Sequence, residues 1–193
     1  MMIDQLIADA QTFLRVSPYD EAHGLDHHQR VWNNIKWIIK QEKLLVDREA
    51  LEIAAWWHDV DKGTNNSRKL ITALRHHHVP RARIETILTI IYQHSFEDTQ
   101  TTIEGKILFD ADKLEYVSLD RWKKFLTMLQ KNPSKQDTMK AYQNAIANRI
   151  IPVYQRLYFS ATKQLFANDL LQFSKWYNSQ FQILLPPLPA QSS

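Results

Sequence analysis

The chain has no cysteine, which excludes disulfides, thiolate-bound metals and cysteine nucleophiles together. Glycine is nearly as scarce, with only Gly24, Gly63 and Gly105 in 193 residues. They stand too far apart to build a Gly-rich phosphate loop, so any phosphate must be met by charge and metal instead. No apolar run approaches the ~18 residues of a membrane span. The opening Met1-Met2-Ile3-Asp4-Gln5-Leu6 lacks the basic and apolar regions of a secretory signal, so the expectation is a soluble, cytoplasmic protein with no membrane partner. Lys+Arg is 24 against 21 Asp+Glu, a formal charge of +3. That small excess, with no long basic run, argues against dedicated nucleic-acid binding. Hydrophobic residues at 44% and charged residues at 23% are ordinary for a globular chain and exclude wholesale disorder.

What remains is helical periodicity. Ile3, Leu6, Ile7, Ala10, Phe13 and Leu14 form one apolar stripe, ended by Ser17-Pro18 because the residue before a proline avoids helical angles. Val31, Ile35, Ile38 and Ile39 form a second stripe. Leu51, Ala54 and Ala55 lead a third towards His58, and Leu70, Ile71 and Leu74 make a short fourth. Pro80 suits the first turn of a fifth, carrying Ile84, Ile87, Leu88 and Ile91. Thr101-Thr102 offer a cap to a sixth through Ile103, Ile107, Leu108 and Leu114. After Trp122/Phe125/Leu129 at helical spacing and the Asn132-Pro133-Ser134 break come two long aromatic patterns, about 137–159 and 160–183. The expectation is one all-α domain over 1–183, followed by a loosely ordered tail at 184–193.

Histidine is distributed unevenly. All eight lie at positions 23, 27, 28, 58, 76, 77, 78 and 94, and the last 99 residues contain none. Imidazole is the commonest neutral metal ligand, which points to a metal site in the first half. Three words carry the chemistry: Ala22-His23-Gly24-Leu25-Asp26-His27-His28-Gln29-Arg30-Val31-Trp32, Trp56-Trp57-His58-Asp59-Val60-Asp61-Lys62-Gly63, and Phe109-Asp110-Ala111-Asp112-Lys113-Leu114-Glu115. In each, ionisable groups stand among apolar neighbours, where an unpaired charge costs several kcal/mol. Two imidazoles and two carboxylates from separate helices balance a divalent cation in the manner of bundle-core metal sites. Periodicity alone does not select Asp112, because Asp110 shares a face with Ile103, Ile107, Leu114 and Val117.

A His followed by Arg-Val near a helix start, a His-Asp doublet closing another helix, and a later Ala-Asp-Lys-Leu resemble the HD superfamily of metal-dependent phosphohydrolases, as in its small bacterial members. The resemblance spans about residues 20–118. It implies an all-α HD-domain helical bundle with additional C-terminal helices. It also implies four ligands, His27, His58, Asp59 and Asp112, and so resolves the Asp110/Asp112 choice. The implied cofactor is one divalent metal ion, Mn²⁺ by preference, with Fe, Co, Ni, Mg or Zn compatible with nitrogen and oxygen ligands.

The implied reaction is hydrolysis of a phosphate ester or anhydride, in a nucleotide or related small phosphorylated metabolite, by metal-activated water. His23, Arg30, Lys62 and His94 are the candidates to meet substrate. Asp61 and Lys62, just after the doublet, are the candidates for acid/base work and charge neutralisation. His28 lies at a different helical angle from His27 and is not expected to be a ligand. His76-His77-His78 reads as a solvated face, or as a reserve of ligands for a second ion with His94. Two rival readings are a non-catalytic metal- or nucleotide-binding regulatory module and a helical interaction protein with an accidental His cluster. The C-terminal aromatic helices are compatible with a homodimer.

Overall fold

The computed structural model describes residues 2–16, 23–61, 67–131 and 136–188. They form α1 (Met2–Val16), α2 (Leu25–Glu42), α3 (Arg48–Trp57), α4 (Arg68–His76), α5 (Arg81–Tyr92), α6 (Ile103–Lys113), α7 (Leu119–Lys131), α8 (Gln136–Arg156) and α9 (Ser160–Phe181), with a 3-10 turn at Leu114–Val117. No strand occurs among the described residues, and the fold is all-α as the periodicity predicts. No helix is long and apolar enough to cross a membrane among the described residues. Ser17, Pro18, Lys62 and the Asn132–Ser134 break lie outside the described residues, as does the tail from 189 onward.

Three local differences from the sequence reading have simple causes. Pro80 caps α5 in an extended conformation (ψ 144°) instead of entering the first turn; its missing N–H is harmless at either place. Leu114 leaves α6 for the 3-10 turn, a common way for a helix to tighten at its end. The Trp122/Phe125/Leu129 spacing belongs to a separate 13-residue helix, α7.

The chain divides into two compact units, Met1–Asp112 and Lys113–Ser193. In the first, α3 is the centre and packs on α1, α2 and α5. Its sequence explains this place: Ala50, Leu51, Ile53, Ala54, Ala55, Trp56 and Trp57 are all buried, so the helix is apolar all round in its second half. Small alanines let neighbouring helices approach, while the Trp57 indole donates to Leu6 O at 3.0 Å and ties α3 to α1. At the other end Asp47 caps α3 by accepting from Ala50 N at 3.0 Å. Arg83 of α5 forks onto the same carboxylate. A cap of this kind is worth about 1 kcal/mol, and here it also fixes α5 against α3.

The second unit packs α9 on the 3-10 turn. Its interior is a chain of rings: Trp122 contacts Phe125, Phe173 and Tyr177 at centroid distances of 5.7, 5.7 and 6.2 Å. The Trp122 indole N–H is satisfied by Tyr116 O at 2.9 Å.

Candidate metal centre

The second half of α3, Ile53–Trp57, is wholly buried, and His58-Asp59 follow it in the interior. Both side chains are buried, at 5% and 1% exposure. α2 contributes His27, at 1% exposure, from its first turn, and α6 contributes Asp112 from its last. The Nε2 atoms of His27 and His58 are 3.2 Å apart. Asp59 Oδ2 lies 3.5 Å from His27 Nε2 and 3.3 Å from His58 Nε2. Asp112 Oδ1 lies 3.3 Å from His27 Nε2 and 3.9 Å from His58 Nε2. Cation–ligand bonds of about 2.1 Å set neighbouring ligand atoms roughly 3.0–3.4 Å apart; three of the five spacings fall in that range and the other two exceed it, a set compatible with side chains gathered around one ion. His27, His58 and Asp59 alone already form a group able to hold a metal.

The chemistry of the donors supports the same fit. His58 Nδ1 donates to Ala55 O at 2.9 Å, which leaves Nε2 as the lone-pair nitrogen of the neutral ring. Burial lowers the His58 pKa, more strongly than the Asp59 and Asp112 carboxylates raise it. Burial alone would push the Asp59 carboxyl up; the imidazoles of His58, His27 and His94 around it hold it well below the usual carboxylate range. A neutral imidazole nitrogen facing an ionised carboxylate at 3.3 Å sets acceptor against acceptor, and a bound cation removes that conflict.

Other candidates fall at varying distances from this centre. His94 Nδ1 donates to Ile91 O, and its Nε2 points at Asp59 Oδ1 from 3.7 Å. The His23 ring stands edge-on to His27, with centroids 5.5 Å apart. Arg30 is half-buried on α2, one turn beyond His27. The Asp61 carboxylate accepts from Lys69 N at 2.8 Å and faces Lys69 Nζ at 3.7 Å, so it serves the start of α4. His77 pairs with Asp9 of α1 at 3.5 Å, while His76 and His78 are exposed. Lys62 lies outside the described residues.

One buried group at the centre escapes the sequence reading of ligands. His28 is completely buried, donates from Nδ1 to Ala55 O at 2.8 Å and sits 4.5 Å, ring to ring, from His58. One carbonyl therefore orients two imidazoles. The signal was available: positions 28, 31, 32 and 35 follow the spacing of a buried helix face, and all four are buried. Burial, aided by His58 and His27, lowers the His28 pKa well below the usual value. Asp110 is also wholly buried, beside the 8%-exposed Asp112, so α6 turns both acids inward.

Comparison with known proteins gives this geometry a context. The HD domain family matches residues 24–117, a segment that holds His27, His58, Asp59 and Asp112. Solved structures with the same fold include a Lactobacillus plantarum protein (22% identity, TM-score 0.68, 94% of this chain and 97% of that one). The Lin1889 protein of Listeria innocua is similar at 20% identity and TM-score 0.64, covering 95% of this chain and 97% of the other. Bacillus subtilis YpgQ, solved in complex with ADP, is similar at 17% identity and TM-score 0.66, covering 95% and 96%. No curated protein matches the chain. Residues 24–117 of this chain match the HD-domain family, and the buried His-His-Asp cluster lies within that match.

Proposed function

We propose that the protein is a metal-dependent phosphohydrolase acting on a nucleotide or a related small phosphorylated metabolite. The observation that carries this reading is the convergence of His27, His58, Asp59 and Asp112 within 3.2–3.9 Å of one another's ligand atoms along the five spacings given above. These four side chains would hold one divalent ion, with Mn²⁺ suited to a nitrogen–oxygen donor set. When bound, the ion supplies Lewis acidity towards a phosphoryl oxygen and makes water a competent nucleophile near neutral pH.

The chain's own groups divide the remaining work. Ala55 O holds the His58 ring so that Nε2 faces the ion. Asp59, kept ionised, supplies negative charge that binds the cation even in a dry surrounding. His23, Arg30 and His94 are offered to the substrate's phosphate oxygens, and Lys62 follows the doublet where charge must be neutralised. Asp61, a candidate for acid/base work by its place after the doublet, accepts from Lys69 N, which favours a role in anchoring the start of α4. ADP bound to the structurally similar YpgQ favours a nucleoside diphosphate among the substrates to try first.

The alternative reading keeps the metal and the nucleotide without turnover, as a regulatory module. Elemental analysis of freshly purified protein, then a nucleotide panel assayed for phosphate release with each of Mn²⁺, Fe²⁺, Co²⁺, Ni²⁺, Mg²⁺ and Zn²⁺, separates the two. The expected result is one equivalent of metal and release that stops with EDTA. Nucleotide binding without release under every metal supports the module, and protein that takes up no stoichiometric metal defeats both.

A further inference from the structure

His94 reaches the metal centre from a loop, not from a helix. The segment between α5 and α6, residues 93–102, has no regular structure, yet it must keep an imidazole aimed at Asp59. Backbone alone does little of this: His94 N and Nδ1 both donate to Ile91 O, which fixes the ring to the end of α5 but leaves the rest of the loop free.

Two glutamines supply the remainder. Gln100 is buried at 3% exposure, and its Nε2 donates to Gln93 O at 2.6 Å, Ser95 O at 3.1 Å and Asp98 O at 3.0 Å. Two of these carbonyls flank His94 in sequence. Three acceptors around one atom also settle which end of the amide is nitrogen, because an oxygen there would face three oxygens. Gln93 works in the opposite sense. Its Oε1 accepts from Thr101 N, Thr102 N and Thr102 Oγ1 at 3.0–3.1 Å, and its Nε2 donates to Thr101 Oγ1 at 2.9 Å. Thr102 Oγ1 in turn accepts from Gly105 N at 3.0 Å and caps α6, the helix that ends at Asp112. Gly105 leaves room for this arrangement: a methyl group at that position would overlap Gln93 Oε1 and displace the amide.

We infer that Gln100 and Gln93 form a side-chain clamp that positions His94 at the metal centre and links the His94 loop to the helix bearing Asp112. Gln100 is a positioning residue, touching neither metal nor substrate. The geometry stands on the hydrogen bonds; only its consequence for turnover rests on the function proposed above. In metal-free protein labelled with ¹⁵N-histidine, His94 gives one sharp set of ring signals. Gln100→Met, similar in size but without an amide, splits or exchange-broadens that set while the signals of His76 and His78 and the tryptophan indoles stay unchanged. A single unshifted His94 set in folded Gln100→Met overturns the clamp. Should Gln100→Met fail to fold, Gln100→Asn keeps a shorter amide and gives the same test with a partial loosening.

A second arm reads turnover. Gln100→Met lowers phosphate release about 10- to 100-fold, the effect of a displaced active group, but causes no further loss when added to His94→Ala. An equal loss in both backgrounds means that Gln100 supports the fold at large, and it overturns the inference. Absence of any turnover in the unmutated protein sinks the phosphohydrolase reading, while the ring signals still decide the clamp.

Discussion

The two units of this chain bury different things. Met1–Asp112 places His27, His28, His58, Asp59, Asp110 and Asp112 in its interior, where every charge and lone pair must be answered. Lys113–Ser193 buries the charged Lys113 and Glu115 at its start and otherwise mainly apolar side chains and rings, with Phe166, Phe173 and Tyr177 fully enclosed. Rings ask only for contact area, about 150–250 Å² each. A buried polar cluster without a compensating ligand weakens a domain, whereas a ring cluster strengthens it. The contrast therefore assigns chemistry to the first unit and stability to the second.

The strongest way to break that assignment is to remove a ligand. Asp59→Ala is expected to abolish metal uptake and phosphate release, a loss of at least about 10³-fold if the ion supplies several kcal/mol to the barrier. Helicity by circular dichroism stays unchanged, because the site lies at the end of α3 and not within its hydrogen-bond ladder. Turnover persisting in Asp59→Ala would remove the first unit's claim to the chemistry. The complementary change is Phe173→Ala, at a residue with no exposed surface that contacts Trp122 at 5.7 Å and Tyr177 at 5.4 Å. It should cost about 3–5 kcal/mol in chemical denaturation and leave one equivalent of metal on the folded protein.

Metal removal sharpens the comparison from the other side. A ligand that binds only the folded state stabilises it by about 2.7 kcal/mol at a concentration 100 times its Kd. EDTA should thus lower the melting of the first unit by a comparable amount, read by calorimetry against protein reloaded with Mn²⁺. The second unit's transition should not move. Melting that ignores EDTA throughout would favour the reading in which the histidines are an accident of composition.

Much of the helical core and of the candidate site is legible in the sequence, although the division into two units is not, and the reasons are specific. The helices of the first unit announce themselves because Leu6/Ala10, Val31/Ile35 and Leu70/Leu74 recur at the helical period, and a one-sided core enforces that period. The doublet is legible because the last turns of α3, Ile53-Ala54-Ala55-Trp56-Trp57, are wholly apolar and give way abruptly to two polar residues. Asp112 is not legible from period alone: Asp110 falls on the Ile103/Ile107 face and Asp112 does not, both are buried, and only the family resemblance separates them. The sharing of Ala55 O by His28 and His58 involves a backbone atom, which no side-chain pattern encodes. Gln100 leaves no trace for a similar reason. A lone glutamine between Thr99 and Thr101 reads as surface loop, and only the folded path of residues 93–98 gathers three carbonyls around it.

The smallest expected effect probes the ring-filled unit with a charge. Tyr177 is fully enclosed, and its hydroxyl donates to Gln143 O at 3.4 Å, too long to favour strongly either form. Burial pushes its pKa from 10.0 up to about 12. A folded pKa above the unfolded one means that the neutral phenol is the form the fold accepts. The associated stability is complete below pH 10, and it is lost as pH rises towards 12 because the unfolded chain ionises first. Tyr177→Phe removes the titration and keeps the ring contacts with Phe173 and Phe181. The variant should lose less stability than the parent between pH 10 and 12, measured by urea midpoint, with the difference confined to the second unit's transition. Equal losses in both proteins would mean that water reaches the hydroxyl, and the enclosure of this ring cluster would then be weaker than that of the metal-side core.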